Sequence, residues 1–312
     1  MMDTLPLVAP AYKEAAAAIP AFDYDAQPIE EIRNSLVAAN EQTYGPPGDV
    51  AKEEVSIARD GAGPLRALLY RPDGAMPRGA ILHVHGGGWV AGTPDMFASF
   101  CKGVADEHRL AVLSVDYRLV PEARGDAALD DAFTALLWLR AEAGRLGFDL
   151  GKIALLGDSA GGNIAAGVAL RARDEGLTLK AQLLVYPALD DRTAGPDAVH
   201  DNPYAGEFVI TRTYLRQLWQ ARLAGTAPDA LKYLAPARSD DLSGMAPSFI
   251  VAAGLDLLGD EAIDYAARLG RSGVPTELHV YPGVFHGFDL VPGPETDRFR
   301  EALSAAVDRL MA

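Results

Sequence analysis

The stretch Ile153-Ala154-Leu155-Leu156-Gly157-Asp158-Ser159-Ala160-Gly161-Gly162 joins an apolar run to a glycine-bracketed serine, and a helical pattern over residues 163–175 follows it. A strand, a tight turn carrying G-x-S-x-G and then a helix is the context in which a nucleophilic serine is presented. Such a turn strains the serine backbone, and glycines two residues to either side avoid the clashes it creates. Gly162 adds room for the helix to pack on the strand. Ser159 Oγ would leave the sheet at a helix N-terminus, whose partial positive charge favours developing negative charge.

Outward from this turn the same rhythm repeats. Apolar runs at 80–84, 110–115, 153–156, 181–186, 248–252 and 277–280 alternate with amphipathic segments near 95–107, 126–140, 163–175, 261–271 and 295–311. Buried parallel strands with crossover helices read this way, so the fold class is α/β, a mostly parallel central sheet flanked by helices. Ahead of it, residues 53–59 alternate as a strand with Val55 and Ile57 on one face, and 65–70 form its partner. Residues 1–48 are Ala- and Pro-rich, with a helical patch at 29–40 and a breaker at Gly45-Pro46-Pro47-Gly48. About sixty residues separate the strand ending near Tyr186 from the next, too many for a crossover. They hold a helical stretch at 211–223, and a long insertion here reads as a lid or binding element.

The second chemical signal is His85-Gly86-Gly87-Gly88-Trp89, at the end of the 80–84 strand. Consecutive glycines let bare backbone N–H groups approach a substrate oxygen, as an oxyanion site requires. A phosphate loop is the weaker reading, since no Gly-Lys-Ser/Thr or ribose-binding acid accompanies it. A serine nucleophile needs an acid and then a histidine further along the chain. His279 lies inside a strand pattern and His200 in the insertion, whereas His286 follows the last strand in a loop, where ligands meet an open sheet. Asp256 follows the 248–252 strand and is the preferred acid; Asp260 reads as a helix cap. His83 and His85 have no third ligand at a suitable spacing, so no metal is expected.

The chain has 312 residues, 49% of them hydrophobic, and a formal charge of −15. That size suffices for a core able to hold a water-poor site. The charge makes nucleic acid or an anionic membrane an unfavoured partner. Cys101 is the only cysteine and reads as a buried small hydrophobe, so no disulfide forms. Residues 1–20 lack a basic n-region and a long apolar run, and no stretch reaches the ~20 apolar residues of a membrane span. A soluble, cytoplasmic protein is the expectation.

Taken together these pieces resemble the hormone-sensitive-lipase-like branch of the α/β-hydrolases, bacterial carboxylesterases with an HGGG loop and a GDSAGG elbow. Tyr117-Arg118-Leu119-Val120-Pro121-Glu122 is similar to the family's YRLAPE, residues 254–261 to its acid loop, and His286-Gly287-Phe288 to its terminal HGF. The likeness covers about residues 50–312. It implies an α/β-hydrolase fold with Ser159 as nucleophile, His286 as base and Asp256 as orienting acid. It also implies an oxyanion hole from the amides of Gly87, Gly88 and Ala160. His85 would brace the glycine loop, and Asp158 and Glu261 would support the site from behind. A helical cap would comprise residues 1–48 and an insertion at about 190–235, on a catalytic domain of 49–312. Departures fall at 123–127, where the family has HPFPA, and at Leu257 and Gly259 in the acid loop.

The expected activity is that of a serine carboxylesterase acting on small-molecule esters through an acyl-enzyme, with no cofactor. An amidase or arylformamidase with the same triad is the alternative of like chemistry. A non-catalytic ligand-binding receptor is the alternative of another class, weakened by the presence of His286. A homodimer is left open as the assembly. Trp89, Phe208 and Trp219 are the expected walls of the substrate pocket, and aromatic walls there predict a preference for short-chain esters.

Overall fold

The computed structural model describes residues 3–20, 22–39, 50–59, 61–74 and 76–312, so the breaker read at Gly45–Gly48 lies outside the described residues. Eight strands form one sheet in the order β1-β2-β4-β3-β5-β6-β7-β8. They are β1 Val50–Ile57, β2 Leu65–Pro72, β3 Ala80–Val84, β4 Ala111–Val115, β5 Ile153–Asp158, β6 Ala181–Val185, β7 Ser248–Ala253 and β8 Thr276–Tyr281. β1 and β2 form an antiparallel hairpin, β2 pairs antiparallel with β4, and every later pairing is parallel. Each parallel connection needs a helical crossover, which the amphipathic spacers supply.

Described helices are α1 Lys13–Ala18, α2 Ile29–Ala39, α3 Ala98–His108, α4 Ala127–Ala141, α5 Ala143–Leu146, α6 Ala160–Asp174, α7 Arg212–Leu223, α8 Leu231–Leu234, α9 Gly259–Arg271 and α10 Pro294–Met311. The pleat sends alternate side chains to opposite faces, so the buried strands feed two cores. Leu82, Leu155, Leu184 and Ile250 face α4, α6 and α9. Ile81, Leu156, Leu183 and Phe249 face α3 and α10, among them the buried Cys101. This two-sided burial is why the strands read as unbroken apolar runs.

Two expectations shift. α6 begins at Ala160, three residues before the helical pattern starts, because the serine turn passes straight into the helix. Asp260 is not a cap: Leu258 caps α9 and Asp260 lies in its first turn, where a carboxylate favours the helix dipole.

Candidate active site

The parallel order places the C-terminal ends of β3, β5, β7 and β8 on one side of the sheet, and the site assembles there. Ser159 adopts φ 54° and ψ −120°, a conformation a side chain rarely takes. Its neighbours show why glycine flanks it. A Cβ on Gly157 would lie 2.4 Å from the Gly161 carbonyl oxygen, and one on Gly161 would lie 2.0 Å from that of Val84. The strained turn is held by the Ser159 N–H, which donates to the Val185 carbonyl at 2.8 Å.

Ser159, His286 and Asp256 form one hydrogen-bonded line. Ser159 Oγ lies 2.8 Å from His286 Nε2, and His286 Nδ1 lies 2.6 Å from Asp256 Oδ2. All three side chains are buried. Asp256 is fixed in turn by the Leu258 N–H, donating to its Oδ1 at 3.1 Å. Burial alone would depress the imidazole, but the charge and hydrogen bond of Asp256 outweigh it. With help from Asp158 and Asp289, His286 stands above the ordinary imidazole value. His200 is exposed, and His279 bonds Glu277 at 2.6 Å on β8, so neither enters the site.

Gly87 and Gly88 border a cavity of about 280 Å³ at Ser159. Among the described residues neither donates its N–H to a backbone carbonyl, and Ala160 opens α6 with a first-turn N–H that has no intrahelical partner. All three amides are thus free to serve an oxyanion. The loop is positioned by His85 and Asp158. His85 stacks on Tyr117 at 4.3 Å with Nδ1 2.8 Å from the Gly86 carbonyl. Burial pushes its imidazole down to about 4, leaving it neutral. Asp158 Oδ1 accepts from the Gly86 N–H at 3.1 Å. Burial, reinforced by the nearby Asp289 charge, pushes the Asp158 carboxyl up to about 7.

Glu261 acts on the loop after β6 and not on a triad side chain. It touches no triad side chain among its hydrogen bonds; it accepts from the Leu189 N–H at 2.5 Å and from the Thr193 hydroxyl. That loop follows β6, and its Ala188 N–H donates to the Ser159 carbonyl at 3.3 Å. No group of three metal-ligating side chains occurs among the described residues.

The aromatic walls need correction. Trp89, Phe208 and Trp219 are not among the described residues lining the cavity. Trp89, at φ 62°, has its ring buried in the core. There it lies 4.6 Å from Trp219, with Nε1–H donating to Asn163 at 3.2 Å. Phe208 sits behind Phe285, ring centroids 5.7 Å apart. The walls are instead Ile19 and Phe22 from the N-terminal segment, Ile210 and Tyr214 from the insertion, and Phe285 and Leu290 from the His286 loop. Tyr186 also lines it, and sequence reading missed it. Its place at the C-terminal end of β6 was the available signal.

The comparisons agree with this geometry. A family model described as the alpha/beta hydrolase fold matches residues 81–290. The chain is 36% identical over 267 residues to Esterase LipI of Mycobacterium tuberculosis, covering 83% of this chain and 81% of that one. It is 34% identical to Ethyl acetate hydrolase of Pseudomonas putida, over 72% and 71% of the two chains. A solved structure titled Bacterial Heroin Esterase superposes with a TM-score of 0.90 at 34% identity, covering 99% of each chain. The chain belongs to the hormone-sensitive-lipase-like family of alpha/beta hydrolases. The superposition covers nearly the whole chain, so the likeness spans both the sheet and the segments that carry the cavity walls.

Proposed function

We propose that this hydrolase is a serine carboxylesterase for short, uncharged esters, with Ser159 as nucleophile, His286 as general base and Asp256 as its orienting acid. The observation that carries the reading is the Ser159–His286–Asp256 line opening onto an apolar cavity beside free glycine-loop amides. Ser159 Oγ attacks the ester carbonyl as His286 Nε2 takes its proton, and Asp256 stabilises the imidazolium. The amides of Gly87, Gly88 and Ala160 receive the oxyanion. His286 then protonates the departing alcohol, and water activated by the same imidazole releases the acid.

The cavity volume, about 280 Å³, is at the small end of the roughly 300–1,000 Å³ range of ligand pockets. That supports short acyl groups. Residues 1–48 and about 190–235 act as the cap in this reading, supported by the walls that Ile19, Phe22, Ile210 and Tyr214 contribute. The aligned His286 favours catalysis over a receptor role. A cytoplasmic setting belongs to the same proposal; the one cysteine, Cys101, is buried and calls for no oxidising compartment. No helix among the described residues is long and apolar enough to cross a membrane.

Ser159→Ala tests the reading directly. Ester hydrolysis is expected to fall on the order of 10⁶-fold, with cooperative unfolding intact. A serine-directed fluorophosphonate should label Ser159 alone, read by mass spectrometry of the peptide. Near-full turnover in the variant would dismiss the triad. Matched ester and amide substrates decide against the amidase alternative if the ester is strongly preferred.

A further inference from the structure

We propose that Tyr186 and Asp289 form a positioning pair for His286: the carboxylate fixes the tyrosine hydroxyl, and the tyrosine ring braces the imidazole in line with Ser159. The inference rests on the triad reading above and adds two residues to it.

His286 is tethered at both nitrogens, by Asp256 at one and Ser159 at the other. Those bonds stay aligned only while the side chain's two torsions stay set, because the ring swings with its Cβ–Cγ bond. Packing against the ring limits that swing, and Tyr186 lies where it can. Its ring meets the imidazole edge to face, with centroids 4.7 Å apart at an interplanar angle of 60°.

The placement of Tyr186 is imposed rather than preferred. It takes φ 36°, a left-handed conformation that side chains avoid unless their surroundings over-determine it. Its N–H is held by the Val251 carbonyl at 2.9 Å. At the other end its hydroxyl donates to Asp289 Oδ1 at 2.7 Å. Both side chains are buried, and an interior carboxylate is costly unless its bonds are made. Asp289 stands three residues after His286, on the single turn Phe288–Leu290. The base and the clamp of its brace therefore belong to one loop and move together.

The groups facing the pair come from several elements. Asp158 at the end of β5 and Arg300 on α10 share with Tyr186 and Asp289 a small cavity of about 30 Å³ otherwise walled by apolar side chains such as Phe97 and Leu303. Asp256 and Ser159 face the two nitrogens of His286. Asp289 thus acts on the imidazole in two ways, through the tyrosine ring and through its charge, which favours the imidazolium formed during attack.

D289N keeps the size and an acceptor oxygen but removes the charge, while Y186F keeps the ring but removes the link. Each is expected to lower kcat roughly ten- to a hundredfold, a part of the about 10²–10⁴ that a positioned base supplies. KM for a small ester should change far less. In D289N the acid limb of kcat/KM should move to lower pH. Y186F removes the link and D289N weakens it by making the acceptor neutral, so with Y186F in place D289N should lower kcat by less than it does alone, while still moving the limb. Losses that multiply, or wild-type kcat with an unmoved limb in D289N, would overturn the proposal.

If D289N does not fold, D289E carries the test: it keeps the charge on a longer arm, so kcat should drop with the limb in place. Wild-type kcat in D289E overturns the pair equally. The rate of Ser159 modification by a fluorophosphonate reads the same alignment without any ester. A wild-type enzyme that is labelled but hydrolyses no ester sinks the esterase reading alone. Variants labelled at the wild-type rate sink the brace.

Discussion

At the scale of single residues, the chemistry turns on how His286 is held between a charge and a burial cost. Its imidazole is enclosed, which alone would favour the neutral ring, yet Asp256 at 2.6 Å outweighs that penalty. As the proposed base His286 works only when neutral, so activity is expected to be full above its pKa and lost as pH falls through it. Because that pKa is raised, the acid limb of kcat/KM is expected above the ordinary imidazole value of about 6.5. A pH–rate profile with its limb at or below that value would show that burial wins. His286 and Asp256 were legible because the fold order demands an acid and a histidine after Ser159, and loops at strand ends supplied few of either. Trp89 was misplaced for an equally local reason. Adjacency to Gly88 says nothing of direction, and the indole packs into the core against Trp219, bonded to Asn163. Tyr186 and Asp289 carry no motif; their partnership exists only once the C-terminal ends of β6 and β8, on either side of β7, meet at one end of the sheet.

At the scale of elements, the glycine loop and the cavity walls make separable predictions. A Cβ on Gly87 would come within 2.2 Å of the Ala91 carbonyl oxygen, at a φ of 122° that disfavours any side chain. Gly87→Ala must therefore move the loop, and losing an oxyanion donor costs about 10²–10³ in kcat. Steady-state kinetics beside a thermal melt would check this; an unchanged kcat would remove the loop from catalysis. Trp89→Ala, by contrast, empties a core site packed on Trp219. It is expected to cost about 3–5 kcal/mol of stability and to leave the acyl-chain profile as it was. Ile210→Ala enlarges the cavity itself. Each further methylene accommodated is worth about 0.8 kcal/mol, near fourfold in relative kcat/KM for longer esters. A chain-length series on both variants separates core from wall, and a shifted profile in Trp89→Ala alone would reverse the assignment. The inner strands β3 to β7 were legible to within two residues because burial on both faces writes them as apolar runs, whereas the half-exposed β1 starts three residues before the strand read at 53–59. The walls were not, since they converge from segments nearly three hundred residues apart, Ile19 at one end and Leu290 at the other.

At the scale of the whole molecule, charge and enclosure together set which esters can enter. The chain carries −15 overall, and no Lys or Arg is among the described residues that line the cavity. Asp158 lies at its wall, and Asp256 and Asp289 stand behind His286. A substrate bearing its own carboxylate would meet these groups with no Lys or Arg among the described cavity-lining residues to pair it. At an effective dielectric of about 20, two like charges roughly 7 Å apart repel by about 2 kcal/mol, near thirtyfold in rate. Desolvating the carboxylate in an apolar cavity adds to that penalty. Phenyl acetate should therefore be hydrolysed at least about tenfold faster, in kcat/KM, than the same ester with a carboxylate on its ring. Adding salt should narrow the gap only partly, because screening over a Debye length of about 8–10 Å reaches the exposed charges and not the buried ones. Equal rates on the two esters would show that the buried carboxyls are neutralised where the substrate sits. A gap that closes fully in salt would instead assign the discrimination to the acidic surface, leaving the cavity indifferent to charge.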